Sequence, residues 1–227
     1  MKEINCIYVA IIFFISIPLL AEVTEEVISV ASYIESSELD AAPVDIISAE
    51  EFKNLRVSTV AELSKYLSIA SGSHFQTNAL DGIDQGMATI TLRGLGHSST
   101  LVLVNKKRQT HSGTPSDEGE GYIDINIIPE IALERIEILK DGATSLYGSD
   151  AIAGVINFQT YQQFDGMRFL LGSQKTSNYD QRDNTLGVLF GGNFWEGDYV
   201  LALSSLNKSP LNAASIPKFA ELGLSGL

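Results

Sequence analysis

Cysteine is almost missing from this chain: its 227 residues contain one, Cys6, and that one falls inside the first hydrophobic run. A disulfide framework is therefore excluded, and removal of that run also excludes thiol catalysis and cysteine-ligated zinc. Positive charge is scarce as well. Lys and Arg number 15 against 28 Asp and Glu, a net charge of −13. The sole basic cluster, Lys106-Lys107-Arg108, cannot supply the grouped cations that a phosphate backbone demands, so nucleic acid is excluded as a partner. Catalytic signatures are lacking too: there is no G-x-S-x-G elbow and no H-E-x-x-H, and the carboxylates are scattered along the chain. Asp81-Gly82-Ile83-Asp84 lacks the register and closing glutamate of a calcium loop. Gly142 and Gly148 are followed by Ser149-Asp150, where a phosphate loop needs lysine and a hydroxyl. The chain reads as a non-enzyme with no cofactor and no metal.

What is present begins with Cys6 to Ala21, a continuous apolar run of secretory length ending in a small residue. It predicts a signal peptide over residues 1–21. The alternative, an uncleaved anchor, is opposed by length, since a spanning helix usually needs about 20 apolar residues. Removing Lys2 and Glu3 together leaves the net charge at −13. Residues 22–43 are acidic, serine-rich and free of glycine, too polar to order themselves by burial. Within them Val27, Ile28 and Val30 form a short β-prone patch suited to strand addition on another protein's sheet edge.

From Val44 the pattern tightens. VDIIS predicts a strand, and Ser48 with Glu51 three residues on predicts a capped helix. Ser58-Thr59 predicts a second helix carrying Val60, Leu63 and Leu67 on one face. MATITLRGL, Met87 to Leu95, and STLVLVNKKRQ, Ser99 to Gln109, read as strands, with a turn at or near Asn105. A short helix is expected at Pro129. Arg135 to Leu139 alternates with period 2, placing Ile136 and Ile138 on one face and Glu137 and Leu139 on the other. A short helix from Ala143 to Tyr147 should stop at Gly148, and a strand resumes at Gly154. Beyond it, Met167 to Ser173, Leu186 to Phe194 and Tyr199 to Ser205 read as strands of about nine residues or fewer in an antiparallel meander.

Three stretches carry a resemblance to a known family. ITLRGLGHSSTLVLVNKKRQ, IPEIALERIEILKDGATSLYGSDAIAGVINFQT and TEEVISV resemble, in order, two plug segments and the TonB box of TonB-dependent outer-membrane receptors. Departures are Asp141 ahead of Gly142, Ala153-Gly154 in place of a Gly-Gly pair, and Lys106 where many members carry glycine. The resemblance implies an α+β fold: a plug domain, built on a small mixed four-stranded sheet with short helices, over residues 44–163. Residues 164–227 are then the first antiparallel strands of an incomplete outer-membrane β-barrel. A full barrel in this family has about 22 strands, and these residues provide three or four at about 10 residues each.

The resemblance also implies energy-coupled uptake, at the cell outer membrane, of a scarce small-molecule ligand such as a ferric chelate, cobalamin or carbohydrate. Its implied partners are the TonB C-terminal domain with its inner-membrane energising complex, the outer membrane itself, and the remainder of the β-barrel. Glu26, Val27, Ile28, Ser29 and Val30 are then the TonB box. Asn78, Asp81, Asp84, His97, His111 and Asp117 are ligand-facing candidates, and the histidines have no metal-ligand spacing among them. Arg93, Gly94, Glu134, Arg135, Glu137, Lys140, Gly142, Tyr147, Gly148 and Gly154 are the plug-motif and barrel-facing candidates. The other readings are a free-standing periplasmic plug-like binding module and a non-functional gene fragment.

Overall fold

The computed structural model describes residues 44–210, except 56, 58, 75–85, 117–118, 141–143, 176–180 and 196, together with Pro217. Two sheets organise them. The first contains β1 (Val44–Ser48), β2 (Thr100–Val104), β3 (Lys107–Arg108), β4 (Leu133–Leu139) and β5 (Gly154–Thr160) in the order β1-β4-β5-β2-β3. It is mixed: β2 and β5 run parallel and the other pairs antiparallel. The sheet expected from the family resemblance to have four strands has a fifth of only two residues, because the segment read as one strand from Ser99 to Gln109 folds back over Asn105 and Lys106. The second sheet is an antiparallel meander of β6 (Gly166–Lys175), β7 (Arg182–Phe194) and β8 (Gly197–Lys208). Its strands run to 10, 13 and 12 residues, longer than the expected nine, since hydrogen-bonded pairing continues past the apolar runs into polar ends such as Asp183 opposite Lys208.

The period-2 reading of β4 holds. Ile136 and Ile138 join Phe158, Ile156, Leu92, Ile125 and Leu63 in the main core, while Leu139 packs with Leu101, Leu103 and Val155 on the opposite face. Each such large side chain contributes about 1.5–3 kcal/mol through burial. Helix α1 (Ala49–Asn54) closes one side of the main core with Phe52, and its N-terminus carries the expected reciprocal cap: Glu51 N–H donates to Ser48 Oγ at 3.2 Å, and Ser48 N–H donates to Glu51 Oε2 at 3.0 Å. The second expected helix is a 3-10 helix, Val60–Lys65, capped by Thr59. Helix α2 (Thr144–Tyr147) ends where anticipated, at Gly148 with φ +88°, whose N–H donates to the Thr144 carbonyl at 3.0 Å.

Met87 to Leu95 is not a strand, contrary to the sequence reading. Ala88, Ile90 and Leu92 are buried as in a strand, but side-chain oxygens and loop carbonyls take the place of a ladder. Thr91 N–H donates to Ser73 Oγ at 2.9 Å, Leu92 N–H to Thr100 Oγ1 at 2.9 Å and Arg93 N–H to the Ile69 carbonyl at 2.7 Å. The β-prone composition reports burial, which an isolated extended segment satisfies equally well.

Glycine is obligatory at Gly154. It holds φ +138°, and a Cβ there would lie 2.5 Å from the Leu139 carbonyl oxygen and 2.8 Å from Leu92 Cδ1. That close approach brings the start of β5 against the end of β4.

Candidate functional site

The two longest sequence motifs converge on a buried polar chain. Arg135 and Glu137, two apart on β4, point to the same face, and Arg135 Nε donates to Glu137 Oε1 at 2.8 Å. Asn157 of β5 donates from Nδ2 to Glu137 Oε2 at 3.0 Å, and the Lys106 N–H donates to Asn157 Oδ1 at 2.9 Å. The chain thus runs from β4 through β5 to the β2–β3 turn. Asn105 adds a clamp on the end of β5: its Oδ1 accepts the Thr160 N–H at 2.8 Å, and its Nδ2 donates to Thr160 Oγ1 at 2.9 Å. Asn105 and Lys106 both hold positive φ, 51° and 65°, as a two-residue type I′ connection requires.

Glu137 corrects the sequence reading. Ion pairing is present, but Glu137 is 0 % exposed, so it faces the protein interior and not a barrel lumen. Gly154 is likewise buried and serves strand packing. Arg93, Gly94, Gly148 and Glu134 are closer to the surface: Arg93 and Gly94 hold φ 57° and 65°, and the Arg93 guanidinium donates to the Lys140 carbonyl. Lys140 pairs through Nζ with Asp45 of β1, and Tyr147 packs against the smaller core. Gly142 lies outside the described residues, as do the strand-addition patch Glu26 to Val30 and Asn78, Asp81, Asp84 and Asp117.

Of the ligand-facing candidates, His97 and His111 are described, and the fold brings both to one cleft of about 350 Å³. Tyr122, Thr89, Arg108 and Asp150 also line it. His97 Nδ1 lies 3.2 Å from Thr89 Oγ1 and 3.3 Å from Thr91 Oγ1, and the His97 N–H donates to Glu120 Oε2 at 3.1 Å. His74 meets the His97 ring edge-on, centroids 5.2 Å apart, a contact that sequence spacing concealed. Arg108 closes one margin, donating to Asp150 Oδ2 at 2.6 Å and to the Tyr147 carbonyl. The Arg108 hydrogen bond, and then that of Ser149, hold the Asp150 carboxyl below its usual range. The result is a cleft of mixed lining, apolar at Ile90, Leu101, Val102 and Ile123, that presents imidazole, hydroxyl and guanidinium groups to a small molecule. Among the described residues no three His, Cys, Asp or Glu side chains converge as a metal site.

The second sheet has two unlike faces. Arg168 and Leu170 of β6, Thr185, Gly187 and Leu189 of β7 and Ala202 of β8 share the face turned to the first unit, and Leu189 is completely buried. Met167, Phe169, Leu171, Leu186, Phe190, Tyr199, Leu201 and Leu203 share the other face and are exposed, Leu171 by 79 %. Phe194 and Trp195 sit at the β7–β8 turn, Trp195 at 94 % exposure.

The sequence profile described as "TonB-dependent Receptor Plug Domain" matches residues 38–155. The chain belongs to this TonB-dependent receptor plug domain family. The chain is 34% identical over 144 residues to the iron-regulated outer membrane virulence protein of Vibrio cholerae serotype O1, covering 62% of this chain and 21% of that protein. The vitamin B12 transporter BtuB of Vibrio cholerae is 29% identical over 180 residues, covering 78% of this chain and 26% of the transporter. Among solved structures, the siderophore receptor PirA of Acinetobacter baumannii superposes with a TM-score of 0.57 at 25% identity, over 75% of this chain and 25% of the receptor. The chain therefore spans about a fifth to a quarter of the length of these relatives. The plug followed by antiparallel strands is the fold expected from sequence. Asn157, Asn105, Arg108 and Asp150 were not singled out as site residues. Asn157 had a legible signal, a lone polar residue inside the apolar run GVINF.

Proposed function

We propose that this chain works as the plug and first wall strands of a TonB-dependent outer-membrane receptor, and that it serves energy-coupled uptake of a scarce ligand such as a ferric chelate or cobalamin. One observation carries the reading. Across its middle the second sheet turns Met167, Phe169, Leu171, Leu186, Phe190, Leu201 and Leu203 outward, with aromatic side chains at the β7–β8 end and the polar Ser173, Asn184 and Ser205 at the other, and it turns Arg168, Thr185, Gly187 and Leu189 onto the plug. That is the sidedness a barrel wall needs between lipid and lumen. A water-soluble free-standing module would expose the same face to solvent, where so large an apolar patch is a liability.

In this reading residues 1–21 direct export, and the strand-addition patch Glu26 to Val30 is captured by the C-terminal domain of TonB. Ligand meets the plug at the side of His97 and His111, together with Asn78, Asp81, Asp84 and Asp117. The names of the relatives, an iron-regulated protein, a vitamin B12 transporter and a siderophore receptor, support the ligand class. Strand addition uses backbone donors at alternate residues, so a proline in the patch removes one. The test is binding of the full chain, in detergent, to the isolated TonB C-terminal domain. Saturable binding that Ile28→Pro weakens at least tenfold supports the reading, and no binding by the unaltered chain overturns it.

A further inference from the structure

The plug meets the wall at the 3-10 turn Glu130–Ala132, which packs on β7 and β8. Ile131 enters a hollow that Gly187 leaves open: a Cβ built on Gly187 would stand 3.4 Å from Ile131 Cβ and 3.4 Å from its Cδ1. Beside this contact lies a cleft of about 980 Å³ between α1 and β6, bordered by Phe52, Glu130, Ile131 and Leu170. Glu130 Oε2 is buried there with no hydrogen-bond partner among the described residues. A carboxylate in that position is costly when ionised, because one oxygen loses water and gains nothing, whereas the neutral carboxyl loses far less.

We propose that Glu130 is a proton-operated seat for the plug: with its carboxyl neutral the Glu130–Ala132 turn stays docked on the wall with Ile131 in the Gly187 hollow, and ionisation draws water into the cleft and lifts the turn away. The surrounding charges do not cancel this effect. Glu62 of the neighbouring 3-10 helix adds negative charge, with Lys65 3.3 Å from its carboxylate. Arg135 of β4 is engaged by Glu137 at 2.8 Å and reaches Glu134 on the same strand at 4.0 Å. Arg168 of β6 donates to Tyr161 Oη at 3.1 Å and lies over the Tyr161 and Phe164 rings, 5.1 and 5.0 Å from their centroids. Asp183 of β7 and Lys208 of β8 pair with each other at 3.7 Å, and α1 brings one charge of each sign to the cleft, Glu50 and Lys53. Burial first, and then Glu62, push Glu130 up to about 7, so the seat would respond close to neutrality.

The inference goes beyond the receptor reading and does not depend on transport, because its readout is a distance. Spin labels on Asn54→Cys of α1 and Leu171→Cys of β6, in the full chain carrying Cys6→Ser and held in lipid, report the width of the cleft by pulsed electron resonance. A single short distance at about pH 5.5 should give way to a longer, broader distribution at about pH 8.5, with a midpoint near the Glu130 transition. Glu130→Gln should hold the short distance at both pH values, and Gly187→Leu, which fills the hollow, should hold the long one at both. Identical distributions at the two pH values, or a response that survives Glu130→Gln, would overturn the proposal.

Discussion

Arg135 donates from Nε to Glu137 at 2.8 Å, and Glu137 is the fully buried member of the pair. Two residues apart on one strand, they share a face, so a local spacing creates an interior ion pair. The pair is completed from β5 by Asn157, and the Lys106 N–H then satisfies Asn157. Removing one partner of such a pair leaves an uncompensated charge, which costs about 3–5 kcal/mol. Arg135→Ala should therefore destabilise the chain by about that amount. Glu137→Leu in the same background should recover part of the loss, because it deletes the stranded charge. Urea unfolding of the single and double variants in detergent, analysed as a double-mutant cycle, measures the coupling.

Lys106 occupies a left-handed conformation, φ 65°, at the second position of the β2–β3 turn. A side chain there is disfavoured by about 1–2 kcal/mol relative to glycine, partly offset by the extra freedom glycine has when unfolded. Lys106→Gly keeps the N–H that donates to Asn157. It should stabilise the chain by about 0.5–1 kcal/mol, read as a higher urea midpoint at unchanged slope.

Glu130 also predicts a pH dependence of global stability. Its value in the folded chain, about 7, lies above the ordinary 4.5, so the folded state holds the proton more tightly than the unfolded state does. The associated stabilisation is complete below the ordinary value and is lost as pH rises through about 7. The urea midpoint should fall over that window in the unaltered chain and change little in Glu130→Gln. A midpoint that rises over the window would contradict the sign.

Leu203 of β8 lies on the outward apolar face and is 61% exposed. A cation in the lipid-facing middle of a wall strand costs about 2–4 kcal/mol. Leu203→Lys should lower the fraction of chain that floats with lipid vesicles after refolding. Ser204→Lys, on the neighbouring inward position, should leave flotation nearly unchanged. Equal losses in the two variants would show that the face is not in contact with lipid.

Local patterns made much of the fold legible. The alternation in β4, the Ser48–Glu51 cap, the stop at Gly148 and the apolar runs of β6, β7 and β8 are short-range features, dictated by strand period, unpaired helix N–H groups and glycine's access to positive φ. They established where segments begin and which faces are apolar. They could not say that Met87 to Leu95 lacks a sheet neighbour, since burial asks for the same residues with or without a ladder.

Long-range placement was decided only by the tertiary structure. Glu137 looked like a surface charge because nothing within a few residues reveals that Asn157 will lie against it; that meeting depends on the pairing of β4 with β5. His74 and His97, far apart in spacing, touch where His74 pairs with Thr89 in an isolated bridge, and His97 and His111 reach one cleft across the β2–β3 pair. The two faces of the wall were implicit in the alternation of β7, but which of them receives the plug was settled by Ile131 finding room at Gly187. Sequence alone determines local geometry and amphipathic pattern, since these depend on neighbours along the chain. Buried polar pairing and the seating of one sheet on another depend on groups many residues apart, whose desolvation is repaid only once the whole core has closed.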